Sequence, residues 1–190
     1  MQEIKKIVVI GPESTGKSTL CQFLADHYHT LWCPEYAREY LLEHGMNYTY
    51  EDLLIIAKGQ LALEETFKQR LKEQTGQENH DGKVSLLFVD TDMYVMKVWC
   101  EVAFGKCHPY ILEQIAQQKT SLYLLCNTDL PWVKDELREY PDLKTREELY
   151  HIYKDILVNQ PVPWIDISGG YEDRLKKATN AIDAMLLNAV

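Results

Sequence analysis

The stretch IVVIGPESTGKSTL, residues 7–20, decides the fold predicted for this chain. Its centre, GPESTGKS from Gly11 to Ser18, matches the pattern G-x-x-x-x-G-K-[ST]. A β-branched run typical of a buried strand precedes the pattern, and apolar residues at helical spacing follow it. The glycines allow a tight turn in which successive N–H groups converge on a phosphate, and the helix start adds unpaired N–H groups. The stretch therefore predicts a phosphate-binding loop, a P-loop.

The side chains of this loop have predicted roles in binding a nucleotide and Mg²⁺. Lys17, also predicted to be catalytic, is expected to reach the β- and γ-phosphates, and Ser18 to ligate Mg²⁺. A glycine turn that only joins strand to helix is the alternative, but the flanking patterns favour nucleotide binding. The predicted ATP-binding residues are Gly11, Pro12, Glu13, Ser14, Thr15, Gly16, Lys17, Ser18 and Thr19.

The base-reading motifs of GTP-binding proteins are absent or altered in this sequence. That class would need a DxxG turn after the third strand-like run, where this chain has Asp90-Thr-Asp92-Met93. It would also need N-K-x-D, whereas CNTDLP has Asn127 and Asp129 without a lysine between them. Adenine is therefore the predicted base, and ATP the predicted nucleotide.

An acidic element follows a later buried run. LLFVD ends at Asp90, and the carboxyl end of a parallel strand faces the ligand crevice of an α/β sheet. We predict that Asp90 is catalytic and ligates Mg²⁺ together with Ser18. The alternative is a helix N-cap, for which Asp is a preferred residue. Asp92 completes the triplet DTD and is predicted to bind the acceptor substrate.

Strand-like and helical patterns alternate along the 190 residues. This alternation predicts an α/β fold in which a parallel sheet of five strands is covered by helices on both faces. We expect one P-loop kinase-like domain over residues 1–190, with a helical insertion on the acceptor side at about 46–75 and a helical lid at about 128–148. The five runs are IKKIVVI, TLWCPE, VSLLFVD, SLYLLCN and VPWIDIS.

The predicted lid has a charged sequence interrupted by prolines. Pro131 and Pro141 are positioned to delimit one short helix before the next. Arg138 and Arg146 flank the break between the two helices, and lid arginines of small kinases stabilise charge in the transition state. We predict that both arginines are catalytic. The alternative is a solvated face whose charges pair at helical spacing.

The segment PEYAREYL after the second run is predicted to form the acceptor side of the crevice. Glu35 is expected to bind the sugar or accept the proton of the attacking hydroxyl, and Arg38 to orient the acceptor or hold its phosphate. The alternative is a surface ion pair worth roughly 0.2–0.5 kcal/mol. Tyr36 and Trp99 are predicted to stack on an aromatic acceptor, with core packing as the alternative.

Composition excludes several classes of protein. A net charge of −9 argues against a nucleic-acid surface. The five cysteines are scattered without a CxxC pair, which favours neither a disulfide framework nor a zinc site. No signal peptide or apolar run of transmembrane length is recognised. We expect a cytoplasmic protein without nucleic-acid or membrane partners, and a homodimer stays possible.

Six motifs occur in an order that carries a family resemblance: GPESTGKSTL, EYAREYL, FVDTD, GKCHP, DLPWVKDELRE and YEDRL. In this respect the chain resembles NadR-type ribosylnicotinamide kinases, P-loop kinase-like domains that phosphorylate the 5′-hydroxyl of nicotinamide riboside with ATP. The resemblance covers nearly the whole chain. It implies a three-layer α/β P-loop kinase fold with the strand order 2-3-1-4-5. It also implies ATP and Mg²⁺ as cofactors, a small nucleoside acceptor and a place in NAD salvage.

The expected reaction is transfer of the γ-phosphoryl group of MgATP to a hydroxyl of a nucleoside-like acceptor. Carboxylates near the strand ends, with Arg38 as the one nearby cation, favour a neutral or cationic acceptor, nicotinamide riboside first. The residue that activates the hydroxyl stays open among Glu35, Asp90 and Asp92. Two other functions stay open: a nucleoside monophosphate kinase, in which Arg38 would hold the acceptor phosphate, and an ATP-binding regulatory module.

Overall fold

The structure, a computed structural model, describes residues 3–77 and 84–187. All strand pairs are parallel and form one sheet in the order β2-β3-β1-β4-β5, which confirms the predicted fold class and topology. The strands are β1 Ile4–Ile10, β2 Leu31–Cys33, β3 Ser85–Asp90, β4 Leu122–Cys126 and β5 Trp164–Ile167.

Helices connect the strands and cover both faces of the sheet. Those in the described ranges are α1 Lys17–Tyr28, α2 Tyr36–His44, α3 Tyr50–Gln77, α4 Met93–Phe104, α5 Pro109–Gln117, α6 Leu143–Val158 and α7 Tyr171–Leu187. Within these ranges, none of the helices is both long and apolar enough to cross a membrane.

Alternation along β1 divides the core into two layers. Ile7 and Val9 pack with α1 and α7, whereas Val8 and Ile10 pack on the opposite face with α3, α4 and α6. The register pairs Val9 of β1 with Asp90 of β3. The loop after β1 and the last residue of β3 therefore meet at the carboxyl edge of the sheet.

Helix α3 has two parts with different packing. Leu53 and Ile56 in its first half pack with α2, α4 and α5 in a separate apolar cluster. Phe67 and Leu71 in its second half pack on the sheet. The segment predicted as an insertion at about 46–75 therefore belongs partly to a helical lobe and partly to the layer that covers the sheet.

The short helix predicted between Pro131 and Pro141 is not formed, so the segment predicted to be a lid is helical only from Leu143 onwards. We call residues 131–140 the strap. An isolated helix of this length is marginal in water, and backbone N–H groups of the strap bind side chains of the P-loop instead. Helix α6 begins after Asp142, whose side chain accepts hydrogen bonds from the N–H groups of Lys144 and Thr145.

Candidate active site

The P-loop follows β1 and has the tight backbone that its glycines predict. Gly11 has a φ of +140°, and a Cβ at this position would lie 2.7 Å from the carbonyl oxygen of Cys126. Gly16 has a φ of +77° and precedes the first residue of α1. The Lys17 ammonium donates to the carbonyl oxygen of Pro12 at 3.0 Å, so it lies against the loop. The loop therefore has the close backbone packing that its glycines allow, and Lys17 lies on it.

A buried arginine fixes the P-loop against two neighbouring loops. The Arg174 guanidinium donates to the carbonyl oxygens of Thr15, Asn127 and Gly169 at 2.8–3.0 Å, and it pairs with Asp129. Arg174 is 2% exposed. Sequence reasoning assigned this residue no role, although it lies in the YEDRL motif and so carried a signal.

Ser18 and Asp90 meet beside the loop. Ser18 Oγ donates to Asp90 Oδ2 at 2.5 Å, and Asp90 is buried at the end of β3. Burial raises the pKa of Asp90, while the Lys17 charge and the Ser18 hydrogen bond oppose this shift. Two adjacent hard oxygens suit Mg²⁺, which usually takes one or two protein ligands and completes its shell with phosphates and waters. The predicted metal ligands therefore fit the ion.

Glu35 faces this pair from the end of β2. It stands immediately before α2 and is partly buried. Burial and, next, the charge of Asp90 raise the pKa of Glu35 to about 6, while Lys17 and Arg38 oppose the shift. The structure thus brings together four predicted residues, Lys17, Ser18, Asp90 and Glu35.

A cavity of about 480 Å³ opens between the P-loop, α2, α4 and the strap. Its volume is in the range of small-molecule sites. The side away from the P-loop is largely apolar, with Trp32, Leu41, Val98 and Trp99. The predicted site residues that line the cavity are those at 11–19, Glu35, Arg38, Asp90, Trp99 and Arg138.

The strap is bound to the P-loop through Glu13. Glu13 Oε1 accepts from the indole N–H of Trp132 at 3.3 Å and from the backbone N–H of Tyr140 at 2.7 Å. Glu13 Oε2 accepts from the backbone N–H of Glu139 at 2.9 Å. Sequence reasoning treated Glu13 only as a member of the ATP-binding loop.

Two arginines connect the strap to the rest of the cavity wall. Arg138 Nη1 donates to Ser14 Oγ at 3.2 Å, which places the guanidinium beside the P-loop. Arg38 pairs through both terminal nitrogens with the Asp135 carboxylate, at 3.0 and 3.3 Å. This pairing was not predicted.

Asp92 does not line the cavity, which contradicts its predicted contact with the acceptor. It is 2% exposed and caps α4, with Oδ1 accepting from the N–H of Tyr94 and Oδ2 from the hydroxyl of Tyr123. The residue between the two carboxylates, Thr91, has a φ of +77°. This left-handed turn directs Asp90 and Asp92 to different surroundings.

Tyr36 is also outside the cavity lining, so the prediction that it stacks on the acceptor is wrong. Its ring packs on Gly59 of α3, where a Cβ would lie 2.1 Å from Tyr36 Cε1. The backbone N–H of Tyr36 donates to Gln60 Oε1 at 2.7 Å. The glycine lets α3 approach α2 closely, and the tyrosine fills that contact.

Arg146 is buried in α6, at 3% exposure, and is not among the residues that line the cavity. It lies one and two turns before Leu149 and Tyr153, which do line it. Within the part of the chain that the structure describes, the Nε and Nη1 atoms of Arg146 have no hydrogen-bond partner. The cavity does not reach these two atoms.

Three features together define a P-loop domain of the kinase type. They are the P-loop between β1 and α1, the carboxylate at the end of the adjacent strand β3, and the strand order 2-3-1-4-5. The chain belongs to the AAA domain family, whose model matches residues 6–174. It is similar to the trifunctional NAD biosynthesis/regulator protein NadR of Salmonella typhimurium and of Escherichia coli, at 24% identity over 188 residues in each case. This confirms the predicted resemblance.

The NadR matches cover 96% of this chain and 43% of each relative, so the chain spans less than half the length of these proteins. Among solved structures, NadR protein in complex with NR superposes with a TM-score of 0.72 at 23% identity, covering 95% of this chain and 49% of that one. The complex of NadR with NAD and AMP-PNP superposes with a TM-score of 0.66 at 21% identity, with the same coverage. Thymidylate kinase from Ehrlichia chaffeensis superposes with a TM-score of 0.64 at 13% identity, covering 96% of this chain and 99% of the kinase. These matches confirm the kinase-type fold.

Proposed function

We propose that this protein is a cytoplasmic kinase that transfers the γ-phosphoryl group of ATP to the 5′-hydroxyl of nicotinamide riboside. One observation carries the proposal: a single cavity is lined by the P-loop, by the carboxylate of Glu35 and by apolar side chains. Arg38, the cation on the acceptor side of this cavity, is already paired with Asp135. Two solved NadR structures, one in complex with NR and one with NAD and AMP-PNP, support the same choice of substrates.

The nucleotide side needs positive charge at the phosphates and oxygen ligands for the metal. The backbone of the P-loop and Lys17 would hold the phosphates. Ser18 and Asp90 would hold Mg²⁺, which supplies charge neutralisation at the β- and γ-phosphates when bound. The reaction needs little covalent chemistry from the protein. The role of the protein is therefore to position the two substrates and to stabilise charge.

Glu35 is the best candidate to accept the proton of the acceptor hydroxyl. Asp90 accepts the Ser18 hydroxyl, and Asp92 caps α4, so of the three carboxylates considered Glu35 is the one left to face an acceptor. A pKa of about 6 keeps Glu35 ionised at neutral pH and basic enough to take part in proton transfer.

The charge of the acceptor side favours a nucleoside over a nucleoside monophosphate. Arg38 would have to leave Asp135 before it could hold an acceptor phosphate, and Glu35 would repel that phosphate. A positively charged pyridinium instead gains from Glu35 and from the aromatic face of Trp99. Arg138, beside Ser14, would stabilise the charge of the transferred group.

An assay of ADP release separates a kinase from a regulatory module. We expect nicotinamide riboside to stimulate ADP release from MgATP well above the rate without acceptor. The reduced, uncharged form of nicotinamide riboside is the matched control, and its kcat/KM should be roughly tenfold lower if the pyridinium charge contributes a cation–π contact and an attraction to Glu35. If no acceptor raises ADP release above background, the protein is an ATP-binding module and the proposal fails.

A further inference from the structure

Glu13 is a carboxylate in the middle of a loop that would hold a polyphosphate. A negative charge at that place opposes the phosphates of ATP, so its presence needs a physical reason. In the described part of the chain no salt bridge involves Glu13. Its charge is instead directed at N–H donors.

All three donors to Glu13 belong to the strap, and they come from both of its ends. Trp132 lies at the beginning, and Glu139 and Tyr140 at the end. Two of the distances, 2.7 and 2.9 Å, are those of hydrogen bonds strengthened by a charged acceptor. One side chain of the P-loop therefore holds a segment of nearly ten residues that has no helix or strand of its own.

The Arg138 guanidinium lies between these two anchored ends. It donates to Ser14 Oγ and to the carbonyl oxygen of Val133, which is itself in the strap. The strap has further contacts: the N–H of Val133 donates to Ser14 Oγ, and Leu137 and Tyr140 pack against apolar clusters. The Arg38–Asp135 pair and the hydrogen bond of the Tyr48 hydroxyl to Glu139 are exposed. Exposed ion pairs stabilise little, and Glu13 is the side chain that joins the beginning of the strap to backbone N–H groups at its end. We therefore expect the position of Arg138 to depend on Glu13.

We propose that Glu13 is a positioning residue: it holds the strap over the P-loop and thereby sets Arg138 where the transferred phosphoryl group lies. The part that concerns Arg138 rests on the proposed kinase function. The part that concerns the strap does not, because it is a statement about which contact keeps this segment in place.

The strap can be tested in the full-length protein without any substrate. Lys134 is exposed in the strap, so trypsin cleavage after Lys134, followed by mass spectrometry, reports how often the strap leaves the P-loop. We expect Glu13→Ala to raise this cleavage rate roughly tenfold, because the lost hydrogen bonds are to a charged acceptor. Glu13→Gln keeps the side-chain size but places an N–H donor against donors of the strap, so it should raise the rate as well.

Glu136→Ala is the matched control, since Glu136 is an exposed strap carboxylate for which the described residues provide no hydrogen bond or ion pair. Its cleavage rate should equal that of the parent. If Glu13→Ala and Glu13→Gln, with an unchanged thermal midpoint, are cleaved no faster than Glu136→Ala, Glu13 does not hold the strap and the inference is overturned.

The positioning role is tested by a double-mutant cycle with Arg138. Glu13→Ala should lower kcat roughly tenfold with little change in the KM for ATP, because Arg138 acts in the transition state. In an Arg138→Ala background the same change should lower kcat no further. Equal losses in both backgrounds would show that Glu13 does not act through Arg138. If the parent transfers phosphate to no acceptor, the proposed function fails, and the trypsin rates still decide whether Glu13 anchors the strap.

Discussion

The two walls of the cavity are held in place by different kinds of interaction. The P-loop follows β1, which pairs with β3 on one side and β4 on the other. The buried Arg174 connects it by hydrogen bonds to the loops after β4 and β5. The strap has no regular structure; its backbone N–H groups donate to Glu13 and Ser14, and Asp135 forms an exposed ion pair. From this difference we expect the wall formed by the P-loop to be the more rigid of the two, and the wall with Arg138 to be the one that moves more readily.

The largest expected effect is on the nucleotide wall. Lys17→Ala removes the cation that lies against the P-loop, so we expect kcat to fall roughly a hundredfold to a thousandfold, as for other groups that stabilise charge in the transition state. Lys154→Ala, which changes an exposed lysine of α6, is the control and should match the parent. Unchanged ATP titration and turnover in Lys17→Ala would remove the basis for assigning ATP to this loop.

A second prediction compares the two walls through their ion pairs. Arg174→Ala leaves buried carbonyl oxygens and Asp129 without their donor, and we expect the free energy of unfolding to fall by about 3 kcal/mol. Arg38→Ala breaks an exposed pair and should cost about 0–1 kcal/mol. Urea unfolding curves of both variants measure the difference. Equal losses would contradict the contrast between the walls.

The third prediction ranks the two arginines of the predicted lid. Arg138→Ala should lower kcat roughly tenfold to a hundredfold, because Arg138 lines the cavity beside Ser14. Arg146→Ala should lower kcat less, because Arg146 is buried outside the cavity lining. Steady-state kinetics, with circular dichroism to compare the folds, measures both. A kcat equal to the parent in both variants would make the two residues non-catalytic.

The fourth prediction concerns pH. Because the pKa of Glu35 is raised to about 6, its protonated form persists up to that pH, and kcat/KM should rise as the pH increases through about 6. Below it, kcat/KM should fall about tenfold per pH unit. Asp92→Asn should keep this profile, since Asp92 caps α4 away from the cavity. An unshifted profile in Glu35→Gln would show that another group is the base.

Local patterns in the sequence were sufficient to predict most of the strands and helices around the cavity. The β-branched run, the glycine turn and the start of α1 are all within residues 4–20, and each is determined by neighbours along the chain. The start of α3 also has a local cause, because Thr49 and Asp52 cap it reciprocally. The alternation of elements predicted the parallel sheet, and the kinase-like order of motifs predicted the order of its strands.

The errors arise where a distant residue decides the local structure. The strap reads as a helix, but its backbone N–H groups bind Glu13, 126 and 127 residues earlier in the sequence. Tyr36 reads as a stacking residue, but Gly59 of α3 gives its ring a place in the helical lobe. No local pattern contains either partner.

The most direct test of the account is a competition for phosphate between acceptors of different charge. ATP is offered with nicotinamide riboside, thymidine, cytidine and the common nucleoside monophosphates, and each product is scored by kcat/KM. Because Arg38 is already paired with Asp135 and Glu35 faces the acceptor, nicotinamide riboside should have the highest value and the monophosphates the lowest. A monophosphate as the best acceptor would mean that Arg38 leaves Asp135 to hold its phosphate, and would contradict the account.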